Sequence, residues 1–153
     1  MFDWLFPQPL PPGAKAPGFT ASDEAGNQVH LAALHGKYVL LVFYPGDNTP
    51  VCTKQLCDLR DSWDYVKSRK VEVFGVNPKN AASHAGFRAR HHYPFPLLVD
   101  KGRRIASLYK ANGVFIRRTV YLIGPDGRIV FSKRGTPAPA EVLAAAPIAA
   151  GQA

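Results

Sequence analysis

Cysteine is scarce in this chain. Two in 153 residues are too few for a disulfide-dense secreted scaffold. A long apolar run is also missing. The run at residues 39–44 falls far short of the roughly 20 residues that span a bilayer, so no membrane association is expected. The opening MFDWLFPQPLPPG has no basic n-region and no uninterrupted apolar stretch. Asp3 and four prolines argue against a signal peptide. The expected compartment is the cytoplasm, where a pair of cysteines points to redox chemistry or a metal rather than a permanent staple. There is no internal repeat. A composition of 46% hydrophobic and 20% charged residues excludes a disordered chain, a collagen-like chain and a coiled coil.

Acidic residues are few in the second half. Residues 1–66 carry four basic and seven acidic side chains, and residues 67–153 carry fifteen and four. A basic half raises the question of nucleic acid. No nucleic-acid module is recognisable and the aromatics sit in apolar runs, so nucleic acid is not expected. An acidic protein partner or an anionic substrate fits the surface better.

The length suits one domain over residues 1–153, with an extended lead-in (1–18) and a small-residue tail (147–153). Strands and helices alternate between them. Residues 37–44 (KYVLLVFY) form a continuous β-branched and aromatic run, which predicts a strand buried on both faces. Residues 52–69 predict a helix, with Leu56, Leu59, Trp63 and Val66 at steps of three and four. Further strands are expected at 71–76, 97–100, 114–123 and 128–133, and helices at 80–92, at 104–110 and near the C-terminus. The turn Gly124-Pro125-Asp126-Gly127 marks a hairpin. This order predicts an α/β fold: a central, mostly parallel mixed sheet with helices on both faces.

The informative segment is FYPGDNTPVCTKQLCDLRD, residues 43–61. It places Cys52 after a buried strand, in the first turn of a helix. Unpaired N–H groups and the positive end of the helix dipole favour a thiolate there. The helix alone falls short. Moving a thiol from about 8.5 to about 6 takes roughly 3.4 kcal/mol, whereas a helix terminus supplies about 0.3–1 kcal/mol. A second cation is required, and Arg117-Arg118, placed inside the 114–123 strand, offers one. Cys57 follows at Cys-x4-Cys spacing. No Cys-x2-Cys motif is present, which disfavours a thioredoxin-type reductase. No second ligand pair is present either, which disfavours zinc. His84, His91 and His92 fall in another helix, where solvated or partner-facing roles are expected.

Pro45, Thr49 and Cys52 form the pattern Pro-x3-Thr-x2-Cys, which resembles the active site of peroxiredoxins. With Cys57 five residues on, the segment is similar to the Q subgroup, the bacterioferritin comigratory protein type. Residues 10–19, Gly75-Val76-Asn77-Pro78, Ser83-His84, Phe87, residues 94–100, Arg118 with the run after it, and residues 124–129 extend the resemblance over about 10–146. It implies a thioredoxin-like fold and a peroxidase that needs no metal, haem or flavin. Cys52 would be the peroxidatic thiolate and Cys57 the resolving thiol of an intramolecular disulfide. Thr49 and Arg118 would bind the peroxide and hold the thiolate. Pro45 would shield the sulfenate and Gln55 would orient the arginine. Strand alternation allows one of the two arginines to face Cys52, and the register favours Arg118. Val51 stands where the family frequently has glycine.

The resemblance thus implies a thiol-dependent peroxidase acting on hydrogen peroxide and alkyl hydroperoxides. It would act as a monomer, re-reduced by thioredoxin or a similar dithiol. A thiol–disulfide oxidoreductase, a peroxide-sensing relay or a basic binding module remain as other readings. If residues 52–57 are helical, the two cysteine Cα atoms lie about 8.7 Å apart, and a disulfide needs about 4.4–6.8 Å. Resolution then requires the helix to unwind.

Overall fold

The structure is a computed structural model that describes residues 8–146, with Cys52 described by its backbone. The chain runs β1 (Thr20–Ser22), β2 (Gln28–His30), β3 (Tyr38–Phe43), α1 (Pro50–Asp61), α2 (Trp63–Ser68), β4 (Val71–Asn77), α3 (Ala81–His91), β5 (Leu97–Val99), α4 (Arg104–Leu108), β6 (Thr119–Ile123), β7 (Ile129–Arg134) and α5 (Pro139–Leu143). A five-stranded sheet is ordered β5-β4-β3-β6-β7, and β1 and β2 form a separate antiparallel pair. β3 is parallel to β4, and β4 to β5. β6 is antiparallel to both β3 and β7. Four of the five strands therefore run one way, as expected for a mostly parallel mixed sheet.

The continuous apolar run of β3 is explained by two cores, one on each face of the sheet. Leu40, Val42 and Tyr44 point to one core, shared with Leu56 and Leu59 of α1, Val66 of α2, Phe87 of α3 and Val142 and Leu143 of α5. Val39, Leu41 and Phe43 point to the other, shared with Ile105 and Ala106 of α4, Tyr109 and Ala16. The two sets alternate because successive strand side chains face opposite ways. Gly75 in β4 has a packing reason. A Cβ there would lie 2.6 Å from Leu97 Cδ2 and 3.2 Å from the Tyr44 ring, so β4 passes Leu97 and Tyr44 with no room for a side chain.

Three expectations need correction. The 52–69 helix breaks at Ser62, whose backbone (φ −99°, ψ 17°) leaves the helical region between α1 and α2. The strand expected at 114–123 begins only at Thr119. Residues 113–116 are instead held as a loop: the Arg103 guanidinium donates to the carbonyls of Gly113 and Val114, and the Arg117 N–H donates to Ala111 O. Arg117 and Arg118 therefore precede β6 rather than lie within it. The β1–β2 pair was not expected at all.

The lead-in residues that are described run along the sheet edge. Lys15 forms a bridge with Arg128, and Gly13 N–H donates to Ile129 O. Residues 1–7 and the 147–153 tail lie outside the described residues. Among the described residues no helix is long and apolar enough to cross a membrane.

Candidate active site

β3 ends at Phe43 and the chain turns through Pro45–Thr49 into α1. Thr49 is the N-cap residue, with Pro50 in the first helical position, where a missing N–H costs nothing. Cys52 is then the third residue of α1, within its first turn, and Cys57 lies in the same helix. The Cys52 side chain lies outside the described residues. Thr49 is exposed, and its hydroxyl makes no capping bond. It donates to Gly46 O at 3.1 Å instead, leaving the oxygen lone pairs at the mouth of the loop. Pro45 is half-buried and Val51 is 51% exposed, on the rim.

The loop is tied down by a buried cluster that the sequence reading did not foresee. Asp47 accepts from the Tyr44 hydroxyl at 2.7 Å and from the Ser83 hydroxyl at 2.7 Å, and pairs with His84 Nδ1 at 2.7 Å. The His84 side chain is 0% exposed and that of Asp47 2%. The other ring nitrogen of His84 lies 3.1 Å from the carbonyls of both Asn77 and Leu98. Both ring nitrogens thus have oxygen partners, the Asp47 carboxylate on one side and two backbone carbonyls on the other. Asn77 completes the cluster by donating to Tyr44 O at 2.8 Å. The expectation of a solvated His84 is overturned. A distant carboxylate and two backbone carbonyls satisfy a ring that helix-face reasoning puts in water. Ser83-His84 was the one sequence signal.

Burial pushes the Asp47 carboxyl up. The hydrogen bonds from His84, Ser83 and Tyr44 and the charge of His84 outweigh that and hold it below its ordinary value of 3.8. A depressed carboxyl stabilises the fold above its unfolded value, and the contribution disappears as pH falls through the folded one. We expect Asp47→Asn to lose stability at pH 7 by roughly 3 kcal/mol or more. Its penalty should shrink as pH drops below about 4. Denaturant midpoints from pH 7 to pH 3 measure this. A penalty that stays constant across the range contradicts it.

The β3–β6 ladder places the arginines. Thr119 pairs with Phe43, and Val120 with Val42. Phe43 and Tyr121 belong to the α4-side core, and Val42, Val120 and Leu122 to the α1-side core. Gly135 N–H donates to Arg118 O at 2.8 Å, which carries the strand geometry one residue beyond β6. By that alternation Arg118 belongs to the α1 face, next to the end of β3. The Arg117 side chain lies over Gly113, whose Cβ would meet its Nε at 3.2 Å.

Gln55 is buried, with its amide nitrogen 3.5 Å from Gly135 O. It therefore reaches the residue that bonds the Arg118 backbone. Its Oε1 has no hydrogen-bond partner among the described residues. Cys57 is a free thiol, half-buried against the α1-side core. Among the described residues no cluster of three or more His, Cys, Asp and Glu could hold a metal ion.

The AhpC/TSA family model matches residues 12–132. A chloroplastic peroxiredoxin Q of Oryza sativa subsp. japonica is 43% identical over 126 residues, covering 78% of this chain and 57% of the relative. The chain thus spans little more than half the length of that relative. Peroxiredoxin Bcp of Bacillus subtilis is 35% identical over 127 residues, covering 77% of this chain and 81% of the relative. The solved structure of Xanthomonas campestris peroxiredoxin Q superposes with a TM-score of 0.75 at 25% identity, over 82% of this chain and 85% of that one. The five-stranded sheet and its flanking helices are thereby a thioredoxin-like fold. With the family model spanning most of the sheet and both kinds of relative agreeing, the chain belongs to the AhpC/TSA family, among the Q-type peroxiredoxins.

Proposed function

We propose that this chain, as one domain and as a monomer, is a thiol peroxidase that reduces hydrogen peroxide and small alkyl hydroperoxides. The observation that carries the reading is the register of β6. Its alternation, continued to Arg118, would turn that residue toward the α1 face at the end of β3, the end from which the chain leads into the helix turn that contains Cys52. That supplies the second cation which the helix dipole alone cannot replace.

In this reading the Cys52 thiolate attacks one peroxide oxygen. The O–O bond breaks, water or an alcohol leaves, and Cys52 becomes a sulfenic acid. Thr49 accepts or donates a hydrogen bond to the peroxide. Arg118 stabilises the thiolate and the charge that develops on the leaving oxygen. Gln55 steadies the Arg118 backbone through Gly135. Pro45 shields the sulfenate from water. Cys57 then condenses with the sulfenic acid to give a disulfide and water, and thioredoxin or a similar dithiol reduces that disulfide. Peroxide consumption in the presence of thioredoxin tests the whole scheme. No consumption above buffer, with both thiols reduced, would refute it.

The two cysteines share α1, at a Cα separation of about 8.7 Å for regular helix. Disulfide formation therefore requires the first turns of α1 to open. We expect the hydrogen-bonded amides within residues 50–58, from Thr53 onward, to be protected from exchange in the reduced form and to exchange far faster in the disulfide form. Mass spectrometry of the two forms checks this, and equal protection would exclude it.

A further inference from the structure

We propose that residues 112–117 form a membrane-contact loop, which seats Val114 and Phe115 among the headgroups of an anionic lipid surface. This goes beyond the peroxidase reading and does not depend on it. Val114 and Phe115 are 87% and 74% exposed, the two most exposed large apolar side chains among the described residues. A single exposed apolar side chain is ordinary on a protein surface. Two adjacent ones that stand out this far contribute nothing to either core and cost solubility. The loop is not loose. Ile116, the next residue, is 4% exposed and belongs to the α4-side core. It pins the segment while its two neighbours project.

The main chain at the tip is already bonded. The Arg103 guanidinium donates to Gly113 O at 2.9 Å and to Val114 O at 3.4 Å. The Gly113 N–H donates to Asn112 Oδ1 at 3.0 Å, and the Asn112 amide donates to Ser107 Oγ at 3.1 Å. The Arg117 N–H donates to Ala111 O at 2.7 Å. An unpaired backbone group is costly at the edge of an apolar phase, and these bonds lower that cost. A protein partner that reads a loop through its main chain finds those carbonyls engaged. A lipid surface asks only for apolar area and charge.

The charge is present. Residues 101–125 contain Lys101, Arg103, Arg104, Lys110, Arg117 and Arg118, and no Asp or Glu. Lys101, Arg104 and Lys110 are exposed. Two guanidiniums flank the base of the tip: Arg103 through its bond to Gly113 O, and Arg117, whose Nε would lie 3.2 Å from a Cβ at Gly113. Asp100, the carboxylate that precedes this stretch, is 1% exposed and turned inward, where it accepts from the Ile105 and Ala106 N–H groups. An apolar tip among cations combines the two forces that hold a protein on an anionic bilayer, apolar burial and attraction to the headgroups. Such a contact needs no spanning helix.

The test is flotation of the full chain with vesicles of equal parts phosphatidylglycerol and phosphatidylcholine, against phosphatidylcholine alone. The chain should float with the anionic vesicles and not with the neutral ones. Replacing the tip, Val114→Ser with Phe115→Ser, should weaken binding roughly tenfold or more through lost apolar burial. Lys101→Gln with Lys110→Gln should weaken it about tenfold at low salt and less as salt rises. Val114→Trp, a larger side chain suited to the interface, should tighten it. All of these positions are exposed, so thermal midpoints should match the parent, which separates lost docking from a lost fold. Binding that neither substitution at the tip changes reflects net positive charge alone and overturns the proposal. Absence of flotation with anionic vesicles overturns it as well. So does self-association in sedimentation equilibrium that the serine pair abolishes while no variant floats, since the tip would then cover a second copy of the chain.

Discussion

Cys52→Ser should reduce peroxide turnover to the level of buffer, whereas Cys57→Ser should complete one oxidation at the normal rate and then stall. The two thiols occupy different turns of one helix. Cys52 sits in the first turn, where unpaired N–H groups converge and the dipole is positive. Cys57 lies more than a turn further on, against the Tyr93 hydroxyl, where the helix ladder is complete. Losing the nucleophile leaves nothing to attack the peroxide, and residues that act as a unit with it cannot compensate. Losing Cys57 leaves a sulfenic acid with no intramolecular partner, open to a second peroxide and to sulfinic acid. Stopped-flow oxidation with one equivalent of peroxide, followed by turnover with thioredoxin, separates the steps. Equal loss of the first oxidation in both variants would overturn the assignment.

Arg118→Met should raise the half-titration pH of the Cys52 thiolate by about one to two units, as expected for loss of one close opposite charge. Attack on peroxide at pH 7 should slow by roughly 10- to 100-fold. Arg117→Met should do much less. The distinction comes from the sheet. Arg118 keeps the alternation of β6 through its bond to Gly135 and so shares the face of Val120 and α1, while Arg117 lies over Gly113. Thiolate absorbance titrated in each variant, with Cys57 replaced by serine, provides the measurement. The same midpoint in the Arg118 variant and its parent would contradict the placement.

What the sequence revealed follows from how local the forces are. The 37–44 run could be read because residues 39–43 of β3 are buried by one core or the other, so composition alone marks it. The helix break at Ser62 could not. Leu56, Leu59, Trp63 and Val66 keep helical spacing across it, and the apolar period carries no trace of a backbone turn. The false start of β6 has a different cause. Val114, Phe115 and Ile116 have strand composition, yet Val114 and Phe115 are 87% and 74% exposed, because Arg103 captures the carbonyls of that loop. The loop after β3 and the helix that follows it were legible through the family pattern of Pro45, Thr49 and Cys52. The cluster around Asp47 and His84 that anchors it was not, since its members come from the residue after β3, the loop, β4, α3 and β5. No spacing within one element reports such a meeting.

The pairing of β3 with β6 also sets an order of events during synthesis. β3 and Cys52 emerge early, but the strand that completes the centre of the sheet begins only at Thr119. At about 5–20 residues per second on the ribosome, the nascent chain carries Cys52 for several seconds before Arg118 exists. If Arg118 is its cation, as proposed, the cysteine during that interval has neither that charge nor a finished sheet beneath it, and it should behave as an ordinary, slowly reacting thiol. On the proposed reading a half-made chain is thereby spared the oxidation that the finished protein invites, and reactivity arrives only when Cys57, the thiol that contains it, is already in place.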